Sequence, residues 1–180
     1  MADRCRIDVT YRMETFSVQE RKSPAPARRE HELSKVIKEA LEPAIFVETY
    51  PRTTIDIYVE VLQADGSTRC AGISAAALAL ADAGIPMRDL VSSIAVAKVE
   101  GQLVLDVKDE EDKQGDSDMP LAIMPSKNVV TLLQMDGLLT KEEFEKALDM
   151  AEAGCKKIDG LQEEARGKFY ETPERAKFIM

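Results

Sequence analysis

Thr53-Thr54-Ile55-Asp56-Ile57-Tyr58-Val59-Glu60-Val61-Leu62 runs into Gln63-Ala64-Asp65-Gly66-Ser67-Thr68-Arg69, and that turn runs into the alanine-rich stretch Gly72 to Ala83. In the first segment Ile55, Ile57, Val59 and Val61 share one face at period two, the pattern of a half-buried strand. The last segment reads as a helix of small residues, stopped by Gly84 and Pro86. So many alanines predict close packing between a sheet and another helix. A strand, a polar turn and a helix in direct succession set the class, and the flanking sequence extends it.

Upstream, Ile7, Val9, Tyr11 and Met13 predict a second half-buried strand over Arg6 to Met13. Glu20 to Ala27, with Pro24 and Pro26, is an extended basic loop. Leu33, Val36, Ile37, Ala40 and Leu41 then fall at helical spacing, and Pro43 marks the end. Downstream, short strands are expected near Ile94–Val99, Leu103–Val107, Pro120–Met124 and Val129–Met135, divided by turns such as Glu100-Gly101 and Asp136-Gly137. Thr140 and Glu143 form a capping box that opens a helix with the apolar seam Phe144, Leu148, Ala151, Cys155 and Ile158. The fold class is therefore α+β, a mixed β-sheet with helices packed to one side and a long C-terminal helix. Residues 1–170 are expected to form one domain, with 171–180 as a patternless tail.

Composition bounds the function. With 180 residues and 44% hydrophobic content, the chain can bury about 70% of its unfolded surface. The first residues are polar, with no signal-peptide core, and the longest apolar run, Ile73 to Ala81, is too short to cross a bilayer. Cys5, Cys70 and Cys155 are odd in number and widely spaced, which argues against a disulfide framework or zinc site and for the cytoplasm. Of the net charge of −9, residues 1–69 carry −1 and residues 70–180 carry −8. Such a protein does not bind polyanions through its bulk field. Any nucleic-acid contact must be local, at clusters such as Arg28-Arg29, Arg52 and Arg69.

Two polar elements carry chemistry. Gly66-Ser67-Thr68-Arg69 gathers backbone N–H groups, two hydroxyls and a guanidinium at the head of a helix, a set suited to phosphate. The plainer alternative is a strand-to-helix turn with Ser67 or Thr68 as N-cap. Glu110-Glu111-Asp112-Lys113-Gln114-Gly115-Asp116-Ser117-Asp118 crowds carboxylates where a loop re-enters a sheet. These are either a solvated acidic loop or a place for a metal, a cation or a shared proton. The lone His31 and the absence of a Gly-x-Ser-x-Gly elbow argue against an activated serine. Neither an EF-hand, a P-loop nor a dinucleotide fingerprint is present.

Read in order, Leu62 to Arg69, Leu78 to Leu90, Glu111-Asp112 through Asp118-Met119-Pro120, and Leu132-Leu133-Gln134-Met135-Asp136-Gly137 resemble the ribonuclease PH family, and within it the catalytic ring subunits of the archaeal exosome. Tyr11-Arg12-Met13, Phe16-Ser17 and Ala27-Arg28-Arg29 agree with it too. The resemblance implies a phosphorolytic 3′-to-5′ exoribonuclease, with inorganic phosphate as co-substrate. It places Gly66, Ser67, Thr68 and Arg69 on phosphate, Arg28 and Arg29 on the RNA backbone, and Asp112 and Asp118 as the active-site pair, catalytic or holding Mg²⁺. It also implies a hetero-hexameric ring with a non-catalytic partner subunit, RNA-binding cap proteins, single-stranded RNA as substrate and no membrane. Family members begin with several dozen residues that this chain lacks, so an N-terminally truncated domain with an unpaired strand edge is expected. The alternatives are a non-catalytic ring subunit of the same fold, serving as scaffold and RNA guide, or a phosphate- or metal-binding regulatory protein.

Overall fold

A computed structural model describes residues 3–108, 111 and 115–170, with the last three described by backbone alone. Asp112 and the 171–180 tail lie outside the described residues. The elements are β1 (Arg6–Met13), α1 (Arg28–Leu41), β2 (Thr54–Val61), α2 (Thr68–Asp82), β3 (Ser92–Val99), β4 (Gln102–Leu105), β5 (Ser117–Met124), β6 (Val129–Leu133), β7 (Asp136–Gly137) and α3 (Lys141–Tyr170). The α+β class and the long last helix follow the sequence pattern.

The two early strands pair in parallel, Arg6 opposite Thr54 through Met13 opposite Val61, and α1 makes the crossover between them. Helices cover one face of this pair. Ile7, Tyr11 and Ile57 point into a core shared with Leu33, Ile37, Ala40 and Leu41 of α1 and Ile73, Ala76, Ala77 and Leu80 of α2. Tyr58, on the other face, is 71% exposed. Pro43 ends α1 as expected, in a single 3-10 turn over Glu42–Ala44.

The remaining strands form an antiparallel sheet in the order β4-β3-β5-β6, with β7 also pairing with β5. Here helices cover both faces of the central strand, a refinement of the one-sided layering expected from sequence. Ile94 and Val96 face α3 and pack with Met119, Leu121, Ala147, Ala151 and Cys155. Ala95 and Ala97 lie against Cys70 of α2. Small side chains on that face let α2 approach the strand closely, as the alanine content predicts. Thr140 and Glu143 make the reciprocal cap, Thr140 N–H to Glu143 Oε2 at 2.9 Å and Glu143 N–H to Thr140 Oγ1 at 3.2 Å. Asp136-Gly137, read as a turn, instead bridges to the start of β5, with Asp136 opposite Asp118 and Gly137 opposite Ser117. Among the described residues no helix is long and apolar enough to cross a membrane.

Candidate active site

The head of α2 leaves backbone donors without acceptors inside the helix. Gly66 (φ 80°) and Ser67 (φ 45°) are successive residues in the left-handed region, which turns the chain sharply into the helix. Glycine adopts that region freely, whereas the serine is held there at a cost of about 1–2 kcal/mol. Its hydroxyl is committed elsewhere, donating to the Val107 carbonyl at 3.0 Å. Ser67 thus occupies the N-cap position without a side-chain cap bond, and the first turn contains no acidic residue. The first backbone bond of the helix runs from Ala71 N–H to the Ser67 carbonyl at 3.1 Å. The N–H groups ahead of Ala71 have no acceptor within the helix and carry the positive end of its dipole.

Thr68 and Arg69 extend this site. The buried Tyr11 hydroxyl donates to Thr68 Oγ1 at 2.8 Å, tying β1 to the helix head. Burial pushes the Tyr11 phenol up, so it remains a protonated donor at neutral pH. Arg69 Nη1 donates to Gln134 Oε1. Arg69 Nε is buried and has no hydrogen-bond partner among the described residues.

Arg28 and Arg29 open α1, whose N-cap residue Ala27 has no side-chain acceptor. Glu30 supplies the fixing contacts instead. Its carboxylate accepts from Ala27 N–H at 2.8 Å and from Met13 N–H at 3.0 Å, so the helix head is tied to β1. Burial alone would raise its pKa. The two backbone bonds, with Lys22 and Arg12 nearby, outweigh that and hold the carboxyl below its usual range.

These parts meet at two adjoining clefts of ≈ 940 and ≈ 750 Å³. The larger is lined by the Gly66–Arg69 turn together with Lys22 and Lys108, the smaller by Arg28, Gln134 and Asp136. Arg29, Arg69, Asp118 and Pro120 line both. Asp118, half-buried as the second residue of β5, lies opposite Ala97 of β3 and opposite Asp136 of β7. Gly137 secures that edge, because a Cβ there would collide with the Asp116 carbonyl oxygen and lie 2.7 Å from Ser117 Cα. Cys70 also lines the larger cleft, but burial raises its thiol to about 11, so it is no thiolate at neutral pH.

Seven of the eight expected site residues therefore gather around one junction: Arg28, Arg29, Gly66, Ser67, Thr68, Arg69 and Asp118. Asp112 falls outside the described residues. Among the described residues no cluster of three or more His, Cys, Asp or Glu could hold a metal.

Residues 1–86 match the 3′ exoribonuclease family, domain 1, and residues 89–154 match domain 2 of the same family. The chain belongs to the 3′ exoribonuclease family. Exosome complex component Rrp41 of Pyrococcus horikoshii is 59% identical over 168 residues, which cover 93% of this chain and 68% of that protein. The protein of the same name from Nitrosopumilus maritimus is 57% identical, over 90% of this chain and 66% of its own length. The chain thus spans about two thirds of these curated relatives. The crystal structure of rice (Oryza sativa) Rrp46 superposes with a TM-score of 0.80 at 22% identity, over 90% of this chain and 73% of that one, a likeness of fold.

Three residues of this family member's site were not singled out by sequence reasoning. Tyr11 was read as a core position of β1, although a tyrosine needs a partner for its hydroxyl when buried. Glu30 stands three residues after Ala27, the place where a carboxylate reaches back over a helix start. Gln134 stood inside the family-like run Leu132 to Gly137, with no role attached to it.

Proposed function

We propose that this chain is the catalytic ring subunit of an exosome, a phosphorolytic 3′-to-5′ exoribonuclease that releases nucleoside diphosphates from RNA ends. The observation that carries the reading is the shared junction. Arg29, Arg69 and Asp118 line both clefts, and the uncapped head of α2 opens beside them. One cleft suits inorganic phosphate at Gly66–Arg69, and the other suits the RNA backbone at Arg28 and Arg29. A phosphate oxygen attacks the last phosphodiester phosphorus, the bond to the preceding 3′ oxygen breaks, and that oxygen takes up a proton or is neutralised.

Two anions must approach each other for this reaction, so Arg69, Arg29 and the helix dipole offset their repulsion and the charge that develops in the transition state. Asp118 is the residue placed to donate the proton to the leaving oxygen or, with Asp112, to hold Mg²⁺. Mg²⁺ bound there would supply charge neutralisation at the reacting phosphoryl oxygens. The coexistence of the phosphate-binding turn and Asp118 at one junction favours a catalytic subunit over a scaffold.

The family description makes RNA the substrate, and the relatives' name makes other exosome components the partners. We assign the finer arrangement as a hetero-hexameric ring with a non-catalytic subunit of the same fold, capped by RNA-binding proteins. An enclosed channel explains how a chain of net charge −9 retains RNA through local arginines. Residues 1–170 act as one unit, with 171–180 as a tail. Three free, buried cysteines fit a cytoplasmic location.

The test is degradation of end-labelled single-stranded RNA by the full-length protein assembled with its partners. Loss of RNA should require phosphate, and Arg69→Ala should weaken apparent phosphate affinity by about ten- to a hundredfold, the value of a charge-assisted bidentate pair. Equal RNA loss in phosphate-free buffer, with monophosphate products, would mean hydrolysis.

A further inference from the structure

We infer that Gln134 is a positioning residue for phosphate, holding Arg69 so that one edge of its guanidinium faces the incoming oxyanion. This rests on the phosphorolytic reading and goes beyond it by naming the residue that aims the cation. Gln134 follows the last residue of β6, and its backbone N–H donates to the Pro120 carbonyl at 3.1 Å. Its backbone is therefore fixed to β5, two residues beyond Asp118. Its side-chain Oε1 accepts from Arg69 Nη1.

The guanidinium is planar, so engaging Nη1 leaves Nε and Nη2 as a side-on fork on the opposite edge. Nε is buried and has no hydrogen-bond partner among the described residues, an arrangement that is costly unless a ligand completes it. Phosphate oxygens match that fork geometrically. The choice of an amide is also informative. A carboxylate in the same place would hold the guanidinium equally well but would compete with phosphate for its charge, whereas Gln134 orients the arginine and leaves it cationic.

The test compares Gln134→Met, which keeps the length and removes the acceptor, with Gln134→Glu, which keeps an acceptor and adds a negative charge. Both are measured in the full-length protein assembled with its partners. KM for inorganic phosphate should rise about tenfold in Gln134→Met, the value of one hydrogen bond to a charged group. The kcat should fall far less, and RNA affinity should fall clearly less than phosphate affinity, since Gln134 lines the RNA cleft but Arg28 and Arg29 are untouched. Gln134→Glu should raise the phosphate KM as well, despite its retained acceptor. In an Arg69→Lys background, Gln134→Met should add little further, because the two residues act as a unit.

An unchanged phosphate KM in Gln134→Met overturns the inference while leaving phosphorolysis intact. So does a parallel loss of phosphate affinity, RNA affinity and thermal stability, or full additivity with Arg69→Lys, since these mark a merely structural residue. If the unmodified protein degrades RNA without phosphate, the functional reading fails and this inference fails with it.

Discussion

Replacing Glu30 should uncouple RNA binding from phosphate binding. Glu30 is only 9% exposed, and its carboxylate accepts from Met13 N–H at 3.0 Å and Ala27 N–H at 2.8 Å. Hydrogen bonds to a charged group contribute about 1.5–3 kcal/mol each, and an orphaned buried N–H costs about 1–3 kcal/mol. Against this stands the desolvation of the carboxylate, so Glu30→Ala should cost about 3–4 kcal/mol net. Glu30→Gln retains one acceptor oxygen but turns an amide N–H toward a second donor, for a loss of about 1–2 kcal/mol.

Urea unfolding at pH 7 should show these losses as lower midpoints at unchanged slope, and a protein of this size should lose about 2–4 °C in Tm per kcal/mol. The pH dependence has a definite sign. The folded pKa of Glu30 lies below the ordinary value of 4.5, so its stabilisation is fully present above that value. It is lost as pH falls through the folded pKa, and the gap between the wild type and Glu30→Gln should close in strong acid. In function, RNA affinity should fall because Arg28 and Arg29 open the helix that Glu30 fixes, while phosphate KM stays near normal. A wild-type urea midpoint for Glu30→Ala at pH 7 would refute this account of the helix head.

Asp118→Asn keeps the shape and removes both the charge and the transferable proton, so single-turnover RNA decay should slow by about 10²–10⁴ while RNA binding persists. Gly137→Ala should cost about 2–3 kcal/mol and most of the activity, since its Cβ collides with the Asp116 carbonyl oxygen at the strand edge that places Asp118; urea midpoints and decay rates measure the two losses. The Cys70 thiol, raised to about 11 by burial, should resist alkylation in the folded protein at pH 8 and react at normal speed once unfolded, which a thiol-reactive chromophore would follow.

Much of the fold is legible because burial imposes periodicity. The alternation in Ile55, Ile57, Val59 and Val61, and the helical spacing of Leu33, Val36, Ile37, Ala40 and Leu41, both follow from one face meeting the core. The parallel pairing of β1 with β2 is not written in either strand, since a period-two pattern is the same for both pairings. The small-residue stretch from Gly72 marks only the body of α2, and its head was legible in Ser67 or Thr68 as N-cap, the position Ser67 occupies. The helix begins at Thr68 because Ser67 takes a left-handed conformation, held by a bond to distant Val107. Asp136-Gly137 has the composition of a turn, and only its partner Ser117-Asp118 makes it part of a sheet. The site was legible as a set of residue types at two motifs. What sequence could not show is that Gln134 and Arg69, 65 residues apart, touch.

The most direct measurement follows the phosphate itself. The assembled protein is incubated with single-stranded RNA and isotopically labelled inorganic phosphate, and the mononucleotide products are separated. The account predicts nucleoside diphosphates carrying one labelled phosphoryl group each, at the β position, with label incorporation equal to the nucleotides released. Unlabelled nucleoside monophosphates, accumulating at the same rate with or without phosphate, would contradict it.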